Sequence, residues 1–189
     1  MLATDLNENE LVSNAQQGDK WAFGELVRRH HQSTVTVAYR MCGDVSLAED
    51  AAQNAFIKAW QSIPSYKPRS PFRNWLYRIA VNAALDLLRR EPGRTEDIDE
   101  LQLTSSSTAP EAAVIELELG ARVQQAVLSL PPASRAVLVL REYESLAYRE
   151  IADILDIPVG TVMSRLNYAR KLLRESLEMK EMFTEEANG

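Results

Sequence analysis

The chain has 189 residues, of which 46% are hydrophobic and 25% are charged, and its formal net charge is −6. This composition is ordinary for a globular protein of one medium domain or two small ones. No apolar run approaches the roughly 20 residues that cross a bilayer, and the N-terminus has neither the basic start nor the apolar stretch of a signal peptide, so we expect a cytoplasmic protein that does not itself span a membrane.

The charge is spread unevenly along the chain. Residues 19–90 carry 11 basic and 6 acidic side chains, residues 91–120 carry 1 and 8, and residues 121–178 carry 8 and 7. Two basic or balanced blocks around an acidic one are typical of a two-domain protein that binds a polyanion. Chance clustering in a soluble protein is the alternative that the charges alone leave open.

The predicted elements are all helices, because apolar residues recur at helical spacing and no stretch alternates with period two for long enough to form a sheet. In chain order, we predict helices over residues 8–17, 20–41, 47–62, 71–90, 112–129, 132–142, 148–155 and 158–178. Ser46, with Glu49 three residues later, is predicted to cap the third helix. Three prolines stand where a first helical turn tolerates them, namely Pro71, Pro132 and Pro158.

The first 90 residues end in an amphipathic helix that follows a basic loop. The apolar stripe of the helix comprises Phe72, Leu76, Ile79, Ala83 and Leu87. A polar side repeats every four residues with Asn74, Arg78 and Asn82. In the loop, Tyr66 lies near Lys67 and Arg69, and we expect it to be exposed. An exposed aromatic ring among cations can stack on an unpaired base; a tyrosine that anchors the packing between two prolines is the alternative.

Residues 91–111 are rich in acids, Ser, Thr and Pro and poor in residues that a core can use, so they are predicted to form a mobile linker. The linker divides the chain into a domain of residues 1–90 and a domain of residues 112–178. Residues 179–189 form a short acidic tail.

Residues 146–170 have the spacing of a helix-turn-helix: a short helix, a break at Asp156 and Ile157, and a longer helix from Pro158. The apolar face of the second helix is expected to pack on the first and comprises Val162, Leu166, Ala169 and Leu173. The other face suits a major groove, because it is polar, short-chained near its start and increasingly basic. It comprises Thr161, Ser164, Tyr168 and Lys171, with Arg165 and Asn167 beside them.

Within this motif, base reading is expected of Ser164, Arg165 and Asn167. Phosphate contacts are expected of Arg141, Thr161, Arg170 and Lys171. An amphipathic helix with a solvated face is the alternative, and the preceding helix and turn disfavour it.

Four segments resemble, in order and spacing, the extracytoplasmic-function sigma factors of the sigma-70 family. They are DKWAFGELVRRHH, AEDAAQNAFIKAWQSI, FRNWLYRIAVNAALDLLRR and LSLPPASRAVLVLREYESLAYREIADILDIPVGTVMSRL. With the acidic linker they cover nearly the whole chain, which makes the resemblance far more specific than a helix-turn-helix alone. It implies an all-α protein with a sigma-two-like bundle and a sigma-four-like helix-turn-helix domain, which directs promoter-specific transcription initiation without catalytic residues of its own.

For the N-terminal domain, the resemblance implies contact with the clamp helices of core RNA polymerase and with the minus-ten element. Asp50 and Gln53 match the family's polymerase-contact positions, and Asn54 stands where an acid is common. The domain would melt the minus-ten element and trap a flipped base near Tyr66 and Asn82. The whole minus-ten surface would comprise Tyr66, Lys67, Arg69, Arg73, Asn74, Arg78 and Asn82.

For the C-terminal domain, the resemblance implies contact with the minus-thirty-five duplex and with the polymerase flap, and the linker would thread toward the RNA exit path. The duplex-reading surface would comprise Arg141, Tyr148, Thr161, Met163, Ser164, Arg165, Asn167, Tyr168 and Lys171. Met163 and Tyr168 stand where many relatives carry a basic residue, so the base preference is least predictable there. Many relatives are held by an anti-sigma factor, and we expect such a partner and a role in a stress or envelope response.

No metal, cofactor or small-molecule site is predicted. His30 and His31 are adjacent on a helix and point about 100° apart, and Cys42, three turns on, is interpreted as a buried small hydrophobe.

Two other functions compete with promoter-specific transcription initiation. A sigma-like decoy would bind an anti-sigma protein without needing the basic DNA faces, which this chain keeps; a conventional repressor or activator usually has a dimerisation or ligand domain, and none is visible.

Overall fold

The computed structural model describes residues 7–90 and 111–187, with side chains described for residues 7–90 and 119–178. Within these ranges the regular elements are all helical, as predicted, and they form two compact units that divide near residue 88. Except for its last residue, the predicted linker of residues 91–111 lies outside the described residues. None of the described helices is both long and apolar enough to cross a membrane.

The described residues of the N-terminal unit form four α-helices. They are α1 (Glu8–Gln16), α2 (Lys20–Cys42), α3 (Val45–Ser62) and α4 (Phe72–Arg90), with a 3-10 turn at Ile63–Ser65 after α3. Each helix begins and ends within two residues of its predicted bounds. Gly43 ends α2 in the left-handed conformation, with φ 77°, which glycine adopts without the strain of a Cβ atom.

The starts of α1, α2 and α3 are capped by side chains that satisfy otherwise unpaired amides. Asn7 and Glu10 form a reciprocal capping box at α1, and the Asp19 carboxylate accepts hydrogen bonds at the start of α2. At α3 the cap is Asp44, whose Oδ1 accepts a hydrogen bond from the Leu47 amide at 2.8 Å. The prediction that Ser46 caps this helix is therefore wrong, because Ser46 already lies inside its first turn.

A shared apolar core holds the basic loop and the start of α4 against α1 and α2. Leu11, Leu26, Ile63, Phe72 and Leu76 are all buried in one cluster. Most of the predicted stripe of α4 is part of the buried core, with Ile79 and Leu87 half-buried at its edge. The packed side chains of this core therefore hold the loop that follows α3 in place.

The C-terminal unit contains α5 (Glu111–Leu128), α6 (Pro132–Leu138), α7 (Tyr148–Leu155) and α8 (Val159–Ala187). The predicted helix of residues 132–142 is regular only as far as Leu138 and continues as a π-helical turn, Val139–Tyr143. In contrast to its predicted end at residue 178, α8 continues to Ala187, so most of the acidic tail is helical. Pro71 and Pro158 each lie one residue before their helix, and their carbonyls accept its first amide hydrogen bonds.

One buried cation belongs to the core of the C-terminal unit. Arg135 is only 3% exposed, and its Nη2 donates hydrogen bonds to the carbonyl oxygens of Leu128 and, at 3.0 Å, Leu130. Carbonyls at the end of a helix lack intrahelical donors and carry partial negative charge. Arg135 therefore satisfies the end of α5 and connects it to α6.

Candidate nucleic-acid interface

The turn between α7 and α8 has the geometry that the sequence predicted. Asp156 adopts the left-handed conformation with φ 54°, and the Ile157 amide donates a hydrogen bond to the Ala152 carbonyl at 3.1 Å, which closes the end of α7. The apolar face of α8, with Val162, Leu166 and Ala169, is buried as expected. Its main contacts, however, are with α6 and α5 rather than with α7, so the expected packing partner is wrong.

The opposite face of α8 is exposed over three turns. Its exposed residues are Met163, Ser164, Asn167, Tyr168 and Lys171. We call these five residues the reading face. Thr161 and Arg165 are half-buried at its edges, so the structure brings together most of the duplex-reading residues that the sequence predicted.

Three cations near the reading face have partners within the protein. The Arg141 guanidinium donates to the Leu146 carbonyl at 2.9 Å and lies 5.2 Å from the centre of the Tyr148 ring. The Arg170 guanidinium donates to Glu142 Oε1 at 2.6 and 3.2 Å, and this bond raises the pKa of Arg170 further above its usual value. Lys171 Nζ lies 3.7 Å from Glu175. Exposed pairs of this kind are weak and can exchange for a phosphate.

Tyr66 is buried rather than exposed, which corrects the sequence-based expectation. It is 8% exposed, its hydroxyl donates to the Ser70 carbonyl at 2.7 Å, and its ring centre lies 4.8 Å from that of Trp75. Burial, followed by the nearby Glu8 carboxylate, raises the pKa of the Tyr66 phenol, which keeps it a neutral donor. Tyr66 therefore fits the alternative given above, a tyrosine that anchors the packing between two prolines.

The remaining minus-ten candidates divide by exposure. Asn74 is buried at 2%, so its expected place on the polar side of α4 is wrong. The exposed candidates are Lys67, Arg69, Arg73, Arg78 and Asn82. The Arg73 guanidinium lies 5.8 Å from the centre of the Tyr77 ring, which orients it along α4. Lys67, Arg69 and Arg73 thus form a group of exposed cations at the loop and the start of α4, which we call the cationic strip, and Arg78 and Asn82 are exposed farther along the helix.

A groove of about 550 Å³ between α2 and α3 was not predicted from the sequence. Its apolar lining comprises Phe23, Val27, Phe56, Ile57 and Trp60, and its polar rim comprises His31, Glu49, Asp50, Gln53 and Gln61. Asp50 and Gln53 are exposed on this rim, whereas Asn54 is exposed but does not line the groove. Ile57, which is 50% exposed one turn after Gln53, is the sequence signal that was missed.

A charged cluster lies on α2, outside the residues that line the groove. Glu25 accepts hydrogen bonds from Arg28 at 2.7 Å and Arg29 at 2.9 Å. The bond from Arg28, and then that from Arg29, lowers the pKa of Glu25 to about 2, so it stays ionised at any physiological pH.

The histidines and the cysteine have structural partners. His30 is buried and its Nε2 lies 2.7 Å from Glu8, while the exposed His31 stacks on Phe56 with ring centres 6.2 Å apart. Cys42 is buried, as predicted. Within the described ranges, no group of three His, Cys, Asp or Glu residues has the arrangement of a metal site.

Comparisons with known proteins match both units. Residues 26–93 match the family model for Sigma-70 region 2, and residues 120–173 match the model for Sigma-70, region 4. The ECF RNA polymerase sigma factor SigW of Bacillus subtilis (strain 168) is 38% identical over an alignment of 176 residues, which covers 88% of this chain and 94% of SigW. The ECF RNA polymerase sigma-E factor of Escherichia coli (strain K12) is 38% identical over 189 aligned residues, covering 94% of this chain and 97% of the relative.

Among solved structures, CnrH, which was determined in complex with the cytosolic domain of CnrY, is similar with a TM-score of 0.68. Its sequence is 30% identical, and the match covers 91% of this chain and 97% of CnrH. The sigma factor RpoE of Bartonella quintana, solved with the anti-sigma factor NepR, shares the fold with a TM-score of 0.63 at 24% identity over 82% of this chain and 96% of that chain.

Proposed function

The chain belongs to the extracytoplasmic-function sigma factors of the sigma-70 family, and we propose on that basis that it binds core RNA polymerase and directs promoter-specific transcription initiation as an alternative sigma factor. The observation that carries this function is the presence in one chain of both sigma regions in order. A repressor needs only the second.

Each domain is assigned one half of promoter recognition. Residues 1–90 bind the polymerase and the minus-ten element, residues 112–178 bind the minus-thirty-five element, and residues 91–111 link them. The tail of residues 179–189 is assigned no role. The polymerase supplies the chemistry of transcription, so we assign this chain the role of a specificity subunit rather than of an enzyme.

The polymerase contact is assigned to the groove between α2 and α3. Asp50 and Gln53 stand on its rim beside Ile57, which is half exposed. An apolar centre with a polar, charged rim is the usual anatomy of a protein interface. Asn54 is exposed on the same helix but outside the groove, and we assign it to the periphery of the contact with the clamp helices.

Minus-ten recognition is assigned to the cationic strip and the loop above the Tyr66 anchor. Lys67, Arg69 and Arg73 are exposed there and can hold the phosphates of a melted strand. Asn82 and Arg78 lie farther along α4, where an amide can pair with a base edge. The buried Tyr66 side chain supports this surface by holding the loop in place.

Minus-thirty-five recognition is assigned to the reading face, which enters the major groove of duplex DNA. Ser164 and Asn167 lie at its centre and are exposed, and Arg165 is half-buried at its edge. Arg141, Thr161 and Lys171 are assigned to phosphates, and the Tyr148 ring positions Arg141. The apolar flank of the domain is assigned to the polymerase flap.

Regulation is assigned to an anti-sigma factor in the cytoplasm. CnrH, which shares the fold and 30% of the sequence over nearly its whole length, was solved with the cytosolic domain of another protein. A regulator that covers the groove or the reading face would keep the sigma factor from the polymerase until a stress or envelope signal releases it.

A charge reversal on the rim of the groove tests the polymerase contact. Asp50→Arg is expected to lower copurification with core RNA polymerase about tenfold or more, because it places a cation where a carboxylate makes the contact. Asp50→Asn removes only the charge and is expected to have a smaller effect. The measurement is the amount of chain retained on immobilised core enzyme.

The matched control is Glu178→Arg, the same reversal at an exposed position of the C-terminal unit. It is expected to leave retention unchanged. Equal retention of Asp50→Arg and the parent protein, with helical content preserved in both, would contradict the assignment of the groove to the polymerase.

A further inference from the structure

The reading face of α8 has two large apolar side chains at its edges. Met163 is 49% exposed and Tyr168 is 50% exposed. They are five residues apart, so their directions differ by about 140° around the helix axis, and Ser164 and Asn167 lie between them. The surface thus has an apolar, polar, apolar order across its width.

Neither apolar side chain belongs to the core of its own unit. The buried side of α8 is already filled by Val162, Leu166 and Ala169, which are at most 1% exposed. Half of each of the two large side chains therefore remains in water in the free protein. On a face assigned to the major groove, these two side chains can bury apolar surface against apolar groups of the bases.

Arg170 and Lys171 do not give the reading face its specificity. Arg170 is held by Glu142 at 2.6 Å, and Lys171 lies 3.7 Å from Glu175 at the far end of the face. Both can exchange these partners for phosphates, but phosphate contacts carry no base information. Discrimination then depends on the central polar pair, on Arg165 at the edge of the face and on the two apolar side chains.

We propose that Met163 and Tyr168 are specificity-determining residues that read thymine through its C5-methyl group, on either side of a base read by Asn167. This inference rests on the proposed function. The thymine methyl is the apolar group that base pairs display in the major groove, and an Asn amide pairs with N6 and N7 of adenine. The reading face accordingly selects an upstream element in which thymines flank an adenine.

Replacement of thymine by uracil tests this proposal, since it removes the methyl group and leaves every hydrogen-bonding group in place. A promoter is first selected from random sequence with the holoenzyme, that is, core RNA polymerase with the full chain. Each thymine of its upstream element, on either strand, is then replaced singly by uracil, and the dissociation constant is measured at one fixed salt concentration. Uracil is expected to weaken binding about fivefold at two positions and to have no effect elsewhere.

Single variants connect each methyl group with its side chain. Met163→Ala is expected to abolish the difference between thymine and uracil at one of the two positions, and Tyr168→Ala at the other. Met163→Leu keeps an apolar contact and is expected to keep the difference. Val45→Ala, which truncates an exposed apolar side chain of the N-terminal unit, is the matched control. It is expected to leave the difference between thymine and uracil unchanged at both positions. Circular dichroism verifies that each variant is folded.

The outcomes separate this proposal from the function on which it rests. If no promoter can be selected, the sigma function and this proposal are both overturned. A selected promoter that binds equally with thymine and with uracil at every position overturns this proposal alone. Alanine variants that retain the parent's full affinity and methyl discrimination also overturn it, and they assign Met163 and Tyr168 to a protein contact instead.

Discussion

Tyr66 shows how a single side chain can support the surface that we assign to the minus-ten element without being part of it. Its hydroxyl bonds to the Ser70 carbonyl, and the Gln16 amide Nε2 donates to the carbonyls of Ile63 and Tyr66 at 3.1 and 2.7 Å. These bonds connect α1, the 3-10 turn and the loop before α4. Three aromatic rings, Tyr66, Phe72 and Trp75, pack together beneath the loop.

Truncation of Tyr66 is therefore expected to destabilise the N-terminal unit. Tyr66→Ala removes a buried ring and is expected to lower the free energy of unfolding by about 3 to 5 kcal/mol, whereas Tyr66→Phe loses only one hydrogen bond, about 1 kcal/mol. The three tryptophans are at positions 21, 60 and 75, so tryptophan fluorescence during urea unfolding follows this unit alone.

Lys67→Ala is the control for that measurement, since Lys67 is exposed and its truncation is expected to change stability by less than about 0.5 kcal/mol. A Tyr66→Ala protein that is as stable as the parent but unable to open promoters would contradict the packing role of Tyr66. It would support the role predicted from the sequence, in which Tyr66 holds a flipped base.

Residue burial is where the sequence was least informative. Asn74 repeats with Arg78 and Asn82 every four residues, yet Asn74 is buried and the other two are exposed. Periodicity gives direction around one helix axis, but it does not give the depth to which each end of that helix is covered by other elements. Tyr66 in the loop had no periodicity to use at all.

Helices, by contrast, were largely predictable. Their apolar spacing and break residues located every α-helix that the structure describes, and α7 agrees with its predicted bounds at both ends. Two features escaped for physical reasons. The π-helical turn at Val139–Tyr143 adds a residue to one turn, which no composition signal marks. The partner of α8 depends on tertiary packing, so α6 could not be distinguished from α7.

The start of α3 gives a test at this scale, because the sequence and the structure assign different caps. Asp44→Ala is expected to lower the free energy of unfolding of the N-terminal unit by about 1 kcal/mol, since it removes the acceptor of the Leu47 amide. Ser46→Ala, at an exposed position inside the helix, is expected to be neutral or slightly stabilising, because alanine has the higher helix propensity.

Tryptophan fluorescence again reports the unit concerned. The reverse order, with Ser46→Ala the more destabilising of the two, would restore the cap predicted from the sequence.

At the scale of the whole molecule, the all-helical class was predictable from the spacing of apolar residues, and the two-part organisation from the charge blocks and the four family-like segments. The groove between α2 and α3 was not, because its lining comes from residues some 30 positions apart on two helices, such as Val27 and Ile57. It supplies what the resemblance alone lacked, an apolar surface next to Asp50 and Gln53 on which a partner can bury area.

The net charge of −6 is compatible with DNA binding because exposed cations are clustered in one part of the surface. Lys67, Arg69 and Arg73 are exposed together at one end of α4, while most acids fall in other parts of the sequence. An acidic chain of this kind is expected to bind DNA weakly by itself and to gain its affinity when core polymerase contributes further contacts.

Transcription in vitro tests the central claim most directly. Purified chain and core RNA polymerase are combined on a library of genomic fragments, and the 5′ ends of the transcripts are sequenced. We expect discrete start sites that require the chain and share one upstream and one minus-ten sequence at fixed spacing. Transcripts identical to those of core polymerase alone, from a chain that still binds the polymerase, would contradict the claim and identify a decoy instead.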